Sequence, residues 1–222
     1  LYGYRAMSYT HFHGEHLDGY HVDEIIRSYF PDYNYKGVFF DIGAFDPIHI
    51  SNSYHFEKNG WDCYLFEANT ELIPRLKEHR KNVFNYALYD EDKESIEFNV
   101  VDTGNWTAGF SAIELNKEYE NIFPTSINKE IRKVTVPQRM LNTVIQNEIS
   151  QLHHIDVMSV DIEGGELKML KGFDLAKYPP KLIVIENVTN DSNYADYLSK
   201  FNYRIDKHIR YNQYFVHNSY TG

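Results

Sequence analysis

The sequence has one cysteine in 222 residues, Cys63, so no disulfide can close within the chain, and this usage suits a reducing, cytoplasmic compartment. It has no run of about 18 apolar residues, which argues against a membrane-spanning helix, and no recognisable secretory leader. It also has no block of basic residues. Lysine and arginine number 22 against 32 acidic residues, for a formal charge of −10 and a pI near 5.5. Such a chain repels the phosphates of a nucleic acid, and no nucleic-acid partner is expected. Repeats, low-complexity tracts and linkers between domains are missing too. The reading is one domain over residues 1–222, with residues 1–35 as an N-terminal cap segment. The opening Leu1-Tyr2-Gly3, in place of a methionine, adds the expectation of a longer multidomain polypeptide with covalent neighbour domains.

What the chain does have is apolar and aromatic content: 42% hydrophobic residues, enough for a core, including 19 tyrosines and 14 phenylalanines. Aromatic faces suit stacking on sugars, although most such side chains simply fill cores. The organising stretch is Gly37-Val38-Phe39-Phe40-Asp41-Ile42-Gly43-Ala44-Phe45-Asp46-Pro47. Its first half has the composition of a strand buried on both faces. An acid and a glycine follow, and then His49 to Lys58 reads as a helix. A strand that ends in Asp-x-Gly and turns into a helix makes a ligand crevice at the carboxyl edge of an open α/β sheet. Gly43 can take backbone angles closed to other residues and lets a ligand approach the main chain. Asp-x-Gly alone is also an ordinary strand-to-turn junction. The next strand, Trp61–Phe66, adds weight because it ends in Glu67, roughly 20 residues beyond the glycine turn, where an acid holds the ribose hydroxyls of an adenosine-type ligand.

The remaining elements follow from periodicity and turn signals. Val22 to Phe30 is an amphipathic helix stopped by Pro31, and Thr70 to Arg80 is a helix with Thr70 as N-cap and Pro74 in its first turn. Val83 to Leu88 is a third strand and Ser95 to Val101 a strand exposed on one face. Residues 102–111 form a polar, glycine-rich loop around Trp106, and Val134 to Val136 is a short strand before a helix from Leu141 to Ile149. Ile155 to Val160 is the fourth strand of the main sheet, ending in Asp161, with the helix Glu163–Lys171 after it. Lys181 to Ile185 is the fifth, ending in Glu186-Asn187. A helix near Tyr194–Phe201 leads to two antiparallel strands, Tyr203–Ile209 and Tyr214–His217. His11, His13, Glu15 and His16 invite a zinc reading, but they lack a second half-site and a cysteine pair.

The runs Asp41 to Pro47, Ser51-Asn52-Ser53, Gly60-Trp61, Phe66-Glu67-Ala68-Asn69, Ser159 to Leu167 and Ile185-Glu186-Asn187 together resemble the FkbM family of S-adenosylmethionine-dependent methyltransferases, over residues 8–217. The resemblance implies a Rossmann-like class I methyltransferase fold. That is an α/β, mostly parallel sheet with an antiparallel C-terminal strand and helices on both faces. It also implies that Gly43 and its neighbour Ala44 bind the amino-acid end of the cofactor, and that Ser51 and Asn52 are cofactor-binding. Asp41 faces its ammonium, Glu67 and Ala68 take the ribose side, and Ala87-Leu88 flanks the adenine. Phe12-His13-Gly14-Glu15 stands where the family often has a Ser-Gln-x-Gly-type sequence. Phe45 and Pro47 depart from the glycine-richer first motif.

Methyl transfer from a sulfonium needs an acceptor in line with the methyl and at least partly deprotonated, so positioning does most of the work. Asp161, Glu186 and Asn187 stand at the ends of adjacent strands and make a hard oxygen set suited to Mg²⁺ or Mn²⁺. This set is similar to the arrangement in catechol O-methyltransferases. In a metal-free alternative, Asp161 or Glu163 is the base and Glu186-Asn187 binds the sugar. Asp161 also borders the cofactor. The expected reaction is O-methylation of a sugar or oligosaccharide hydroxyl, with catalytic residues Asp161, Glu163 and Glu186. A nicotinamide oxidoreductase would need the rest of the glycine fingerprint after Gly43, which is missing. A nucleotide-sugar glycosyltransferase or a non-catalytic glycan-binding module are the alternatives.

Overall fold

In the computed structural model, which describes residues 8–102 and 130–221, the apolar runs become adjacent strands. The strand β3 (Val38–Ile42) lies in the interior of a seven-stranded sheet. It is parallel to β4 (Asp62–Phe66) on one side and to β9 (Val157–Val160) on the other. β5 (Asn82–Phe84) continues one wing. The other wing runs through β10 (Leu182–Glu186) to β12 (Asn212–His217) and the edge strand β11 (Tyr203–Ile209), both antiparallel as expected. The order β11-β12-β10-β9-β3-β4-β5 is the α/β, mostly parallel, Rossmann-like sheet that the resemblance implies. No helix among the described residues is long and apolar enough to cross a membrane.

Period-two alternation divides the core in two. Phe40, Phe66, Met158, Ile183 and Phe215 face one layer, with α4 (Leu141–Glu148), α5 (Glu166–Lys171) and α6 (Asn193–Ser199). Phe39, Leu65, Val157, Val184 and Tyr214 face the other, with α1 (Val22–Tyr29) and α3 (Ile73–His79); α2 (Tyr54–Lys58) adds Phe56 to that layer. Phe39 and Phe40 are both fully buried, and truncating either to alanine is worth about 3–5 kcal/mol.

Several boundaries differ from the sequence reading. The third strand ends at Phe84, and Ala87–Leu88 (β6) leaves the main sheet to pair with β8 (Glu130–Arg139) and, through it, β7 (Lys93–Asp102). β8 runs on through Pro137, which has no N–H to give, and the register of β7 slips between Lys93 and Ile96 opposite it. The second helix starts only at Tyr54. Before it, Phe45 and Ile50 take positive φ, and Asp46 Oδ1 accepts the N–H groups of Ile48 and His49, making a turn of what reads as helix. The third begins after Leu72, not Thr70, with Pro74 in its first turn. The helix after β9 starts at Glu166 because Glu163 (φ 59°) and Gly164 (φ 103°) break it. Residues 16–21, without periodicity, hold a small hairpin of β1 (His16–Leu17) and β2 (Tyr20–His21). The expected loop around Trp106 lies outside the described residues.

Candidate active site

The sheet face that carries Phe39, Val157, Val184 and Tyr214 ends, at the carboxyl edge, in a row of polar side chains. Registers Asp41↔Ser159, Val184↔Ser159 and Glu186↔Asn212 put Asp41, Ser159, Glu186 and Asn212 on that face, and Asp161 follows Ser159 by two. The N-terminal segment covers this face. His13 and Gly14 donate their backbone N–H groups to the Asp23 carboxylate at 2.8 and 2.9 Å. Gly14 then lies against Asn52, and the next residue is Glu15.

Asp41 is buried, and its Oδ2 accepts the Ser53 hydroxyl at 2.5 Å. Arg80, also buried, organises everything around that contact. Its Nη2 donates to Ser53 Oγ, its Nη1 to Ser51 Oγ and the Pro47 carbonyl, and its Nε to Glu57 at 2.7 Å. Burial pushes the Asp41 carboxyl up, and the Ser53 bond and the Arg80 charge hold it down. Gly43 (φ 84°) and Ala44 both donate to the Phe66 carbonyl, so their N–H groups tie the loop to β4. Glu67 closes the same junction. Its Oε2 accepts the Phe45 N–H at 2.9 Å and its Oε1 the Asn69 N–H at 2.7 Å. Burial raises the Glu67 carboxyl while these bonds oppose the rise. Each oxygen keeps a further lone pair.

Asn52 Nδ2 donates to Ser159 Oγ at 3.1 Å, while Asn52 Oδ1 is enclosed without a hydrogen-bond partner. Ala87 lies in a small apolar cluster with Phe98, Val100 and Val136, and Ala68 packs against it; Leu88 sits in the main core. Past β9, one carboxylate oxygen each from Asp161, Glu163 and Glu186 lie within 4.8 Å of one another. Burial first pushes all three carboxyls up; the repulsion of Glu166 and Glu15 adds to it at Asp161, and that of Asp161 at Glu163 and Glu186, while a hydrogen bond between Asp161 and Glu186 lowers the one and raises the other. Oε2 of Glu163 and Oε2 of Glu186 have no hydrogen-bond partner. Glu166 is occupied differently: it accepts the N–H groups of Ile162 and Gly164 and the Tyr194 hydroxyl, fixing the loop that carries Glu163.

The family model of the methyltransferase FkbM domain matches residues 41–205, from the strand-end acid Asp41 to within β11. The chain belongs to the FkbM methyltransferase family. No curated protein sequence matches it. The crystal structure of precorrin-6y C5,15-methyltransferase from Geobacter metallireducens GS-15 is similar at 13% identity and a TM-score of 0.42, over 87% of this chain and 86% of that chain.

As an FkbM methyltransferase the chain uses S-adenosylmethionine, and the donor set around Gly43 fits such a group. Asn52 Oδ1 is an enclosed acceptor in need of a donor, and the Glu67 oxygens retain lone pairs for hydroxyls. Among residues singled out from the sequence, Asp161, Glu163 and Glu186 come together. Asn187 does not join them. Its side chain turns to the other face, donating to Gln213 Oε1 and the Asp191 carbonyl and accepting the Asp191 N–H. Ser51 lies inside, on Arg80. Sequence reasoning missed Arg80, Ser159, Asn212 and the approach of Glu15. The strand alternation that sets Asn212 beside Glu186 was a usable signal, but nothing local marks Arg80. His11, His13 and His16 form no metal group among the described residues.

Proposed function

We propose that this FkbM methyltransferase transfers a methyl group from S-adenosylmethionine to a hydroxyl of a sugar or oligosaccharide. The observation that carries the reading is the pair of unpartnered, enclosed carboxylate oxygens, Glu163 Oε2 and Glu186 Oε2, at the strand edge next to the Gly43 loop. A buried acid oxygen without a donor suits a neutral, protic acceptor such as a hydroxyl and disfavours an anionic one.

In this reading Glu67 holds the ribose hydroxyls, Asn52 Oδ1 accepts from the ammonium, and Ala68 and Ala87 border the base. Asp41 acts through Ser53 and the loop, contributing negative potential from inside. When bound, the cofactor supplies an electrophilic methyl carbon and departs as a neutral thioether. The chain's own task is to orient the acceptor oxygen and take its proton. Asp161, pushed up to about 7 chiefly by burial, is poised to take that proton, with Glu163 the neighbouring alternative within 4.8 Å. Glu186 positions the acceptor. A divalent cation, Mg²⁺ or Mn²⁺, belongs to the reading as counter-charge for the acids. The domain extends over residues 1–222, the segment before residue 35 caps the cofactor, and a reducing, cytoplasmic compartment suits the single thiol.

The test is product analysis. The protein is incubated with methyl-labelled S-adenosylmethionine and a panel of short glycans, and products are mapped by mass spectrometry and NMR. A methyl ether on a sugar carbon supports the reading. Label transferred only to nitrogen or carbon acceptors overturns it.

A further inference from the structure

The three acids past β9 and β10 raise a question of charge. Asp161 and Glu163 come from one loop and Glu186 from a strand end, and one oxygen of each lies within 4.8 Å of the others. No arginine or lysine is hydrogen-bonded to any of them among the contacts of the described residues, whereas the buried Asp41 has Arg80 nearby and Asp156 has Lys181 at 2.6 Å. The other buried acids without a cation, Asp23, Glu67 and Glu166, are held by backbone N–H or hydroxyl donors. Here, two of the three carry an oxygen with neither solvent nor a donor.

An independent observation comes from the neighbouring strand. Asn212 is 5% exposed and pairs in register with Glu186, and its Nδ2 has no hydrogen-bond partner. Burial raises the Glu15 carboxyl and the Asn212 amide beside it holds it down. Glu15 can take at most one of the two N–H groups of that amide, and the other needs an oxygen to donate to. A water or a hydroxyl bound to a cation held by the acids would provide one.

We propose that Asp161, Glu163 and Glu186 form a divalent-cation site for a hard ion such as Mg²⁺ or Mn²⁺, with Asn212 Nδ2 donating to an oxygen bound to that ion. The separations suit it. Two oxygens on opposite sides of an ion at about 2.1–2.4 Å are about 4.2–4.8 Å apart, and these three lie within 4.8 Å of one another. All-oxygen ligation selects a hard cation over zinc or copper. Roughly six ligands are needed, so three carboxylates leave places for water and for the acceptor's own hydroxyl oxygens. Asn187, whose amide is engaged on the other face, is outside the set. Glu163 enters it because a left-handed backbone turns it back toward β9. The site deepens the hydroxyl-methylation reading and rests on it for its purpose, but cation binding can be measured without cofactor or acceptor.

The experiment titrates the chelator-treated full chain with Mn²⁺ and follows the loss of the free-ion EPR signal, with Mg²⁺ as competitor. Saturation at one ion per chain, displaced by Mg²⁺, is expected. Glu163→Gln and Glu186→Gln should each weaken Mn²⁺ at least tenfold, whereas Glu97→Gln, on the exposed hairpin and paired with Lys133, should not. In the absence of metal both cluster variants should keep the parent's single cooperative melt, which confirms that they fold. Absence of saturable uptake, or an unchanged affinity in both variants, overturns the site. S-adenosylhomocysteine binding, measured by calorimetry on the same samples, separates the two readings. Its loss with Mn²⁺ uptake intact overturns the cofactor assignment, and the converse overturns the cation.

Discussion

A Cβ built on Gly43 would stand 1.8 Å from the backbone carbonyl oxygen of Asp161. The first strand-end loop and the acid loop are thus in contact through a gap that only a hydrogen atom can fill, and Asp161 N–H donates back to the Ile42 carbonyl at 3.0 Å. Gly43→Ala therefore meets both a positive φ and an immovable backbone atom. We expect a loss of about 3 kcal/mol or more in unfolding free energy, with the Asp161 loop displaced. Urea denaturation measures it; a variant as stable as the parent would show that the loops do not pack this way.

Glu67→Gln keeps the shape of the side chain and removes its charge. One of the two backbone N–H acceptors survives, so the fold should hold. Binding of S-adenosylhomocysteine should weaken roughly tenfold to a hundredfold, the worth of charged hydrogen bonds to two hydroxyls. Calorimetry decides, and affinity within twofold of the parent removes Glu67 from the cofactor site.

Arg80 is the counter-charge for Glu57 and the clamp on Ser51 and Ser53. Arg80→Met leaves Glu57 and Asp41 without it and should cost about 3–5 kcal/mol. Adding Glu57→Gln should recover part of that loss. If the double variant is no better than the single one, the ion pair is not what Arg80 contributes.

Two buried groups give opposed pH dependences. Burial holds His55 down to about 4, with nearby Arg27 acting the same way and the bond to the His11 carbonyl opposing. The unfolded chain thus binds more protons between about 4 and the ordinary histidine value, and stability rises with pH through that window. Asp23 is pushed up to about 6 by burial, against the His13 and Gly14 N–H bonds. Its contribution is complete below the ordinary aspartate range and is lost as pH rises through 6. Each slope is at most about 1.4 kcal/mol per pH unit, so they largely cancel in the parent. Relative to the parent profile, Asp23→Asn should tilt the urea midpoint upward from pH 4.5 to 6.5, and His55→Gln should tilt it downward. Parallel profiles for both variants and the parent would refute the pairing.

The strands of the main sheet were largely legible in the sequence. β3, β9 and β10 are apolar on both faces, and such runs have few places to go other than the middle of a parallel sheet. Asp41, Glu67, Asp161 and Glu186 were legible for the same reason, since each is the first acid after a buried strand. Asn187 shows where that reasoning stopped short. Successive residues at a strand end point to opposite faces, so Glu186 and Asn187 could not both turn toward Asp161.

Thus the sequence by itself determined the sheet, its polarity and the strand ends where acids collect, because period-two burial and glycine turns are local physics. Only the tertiary structure decided which of those acids meet. It tied Asp41 to Ser53 beneath Arg80, rotated Glu163 in and Asn187 out, and laid Glu15 and Asn212 beside Glu186. Those contacts join residues up to about two hundred positions apart, and no local propensity encodes the packing that brings them within reach.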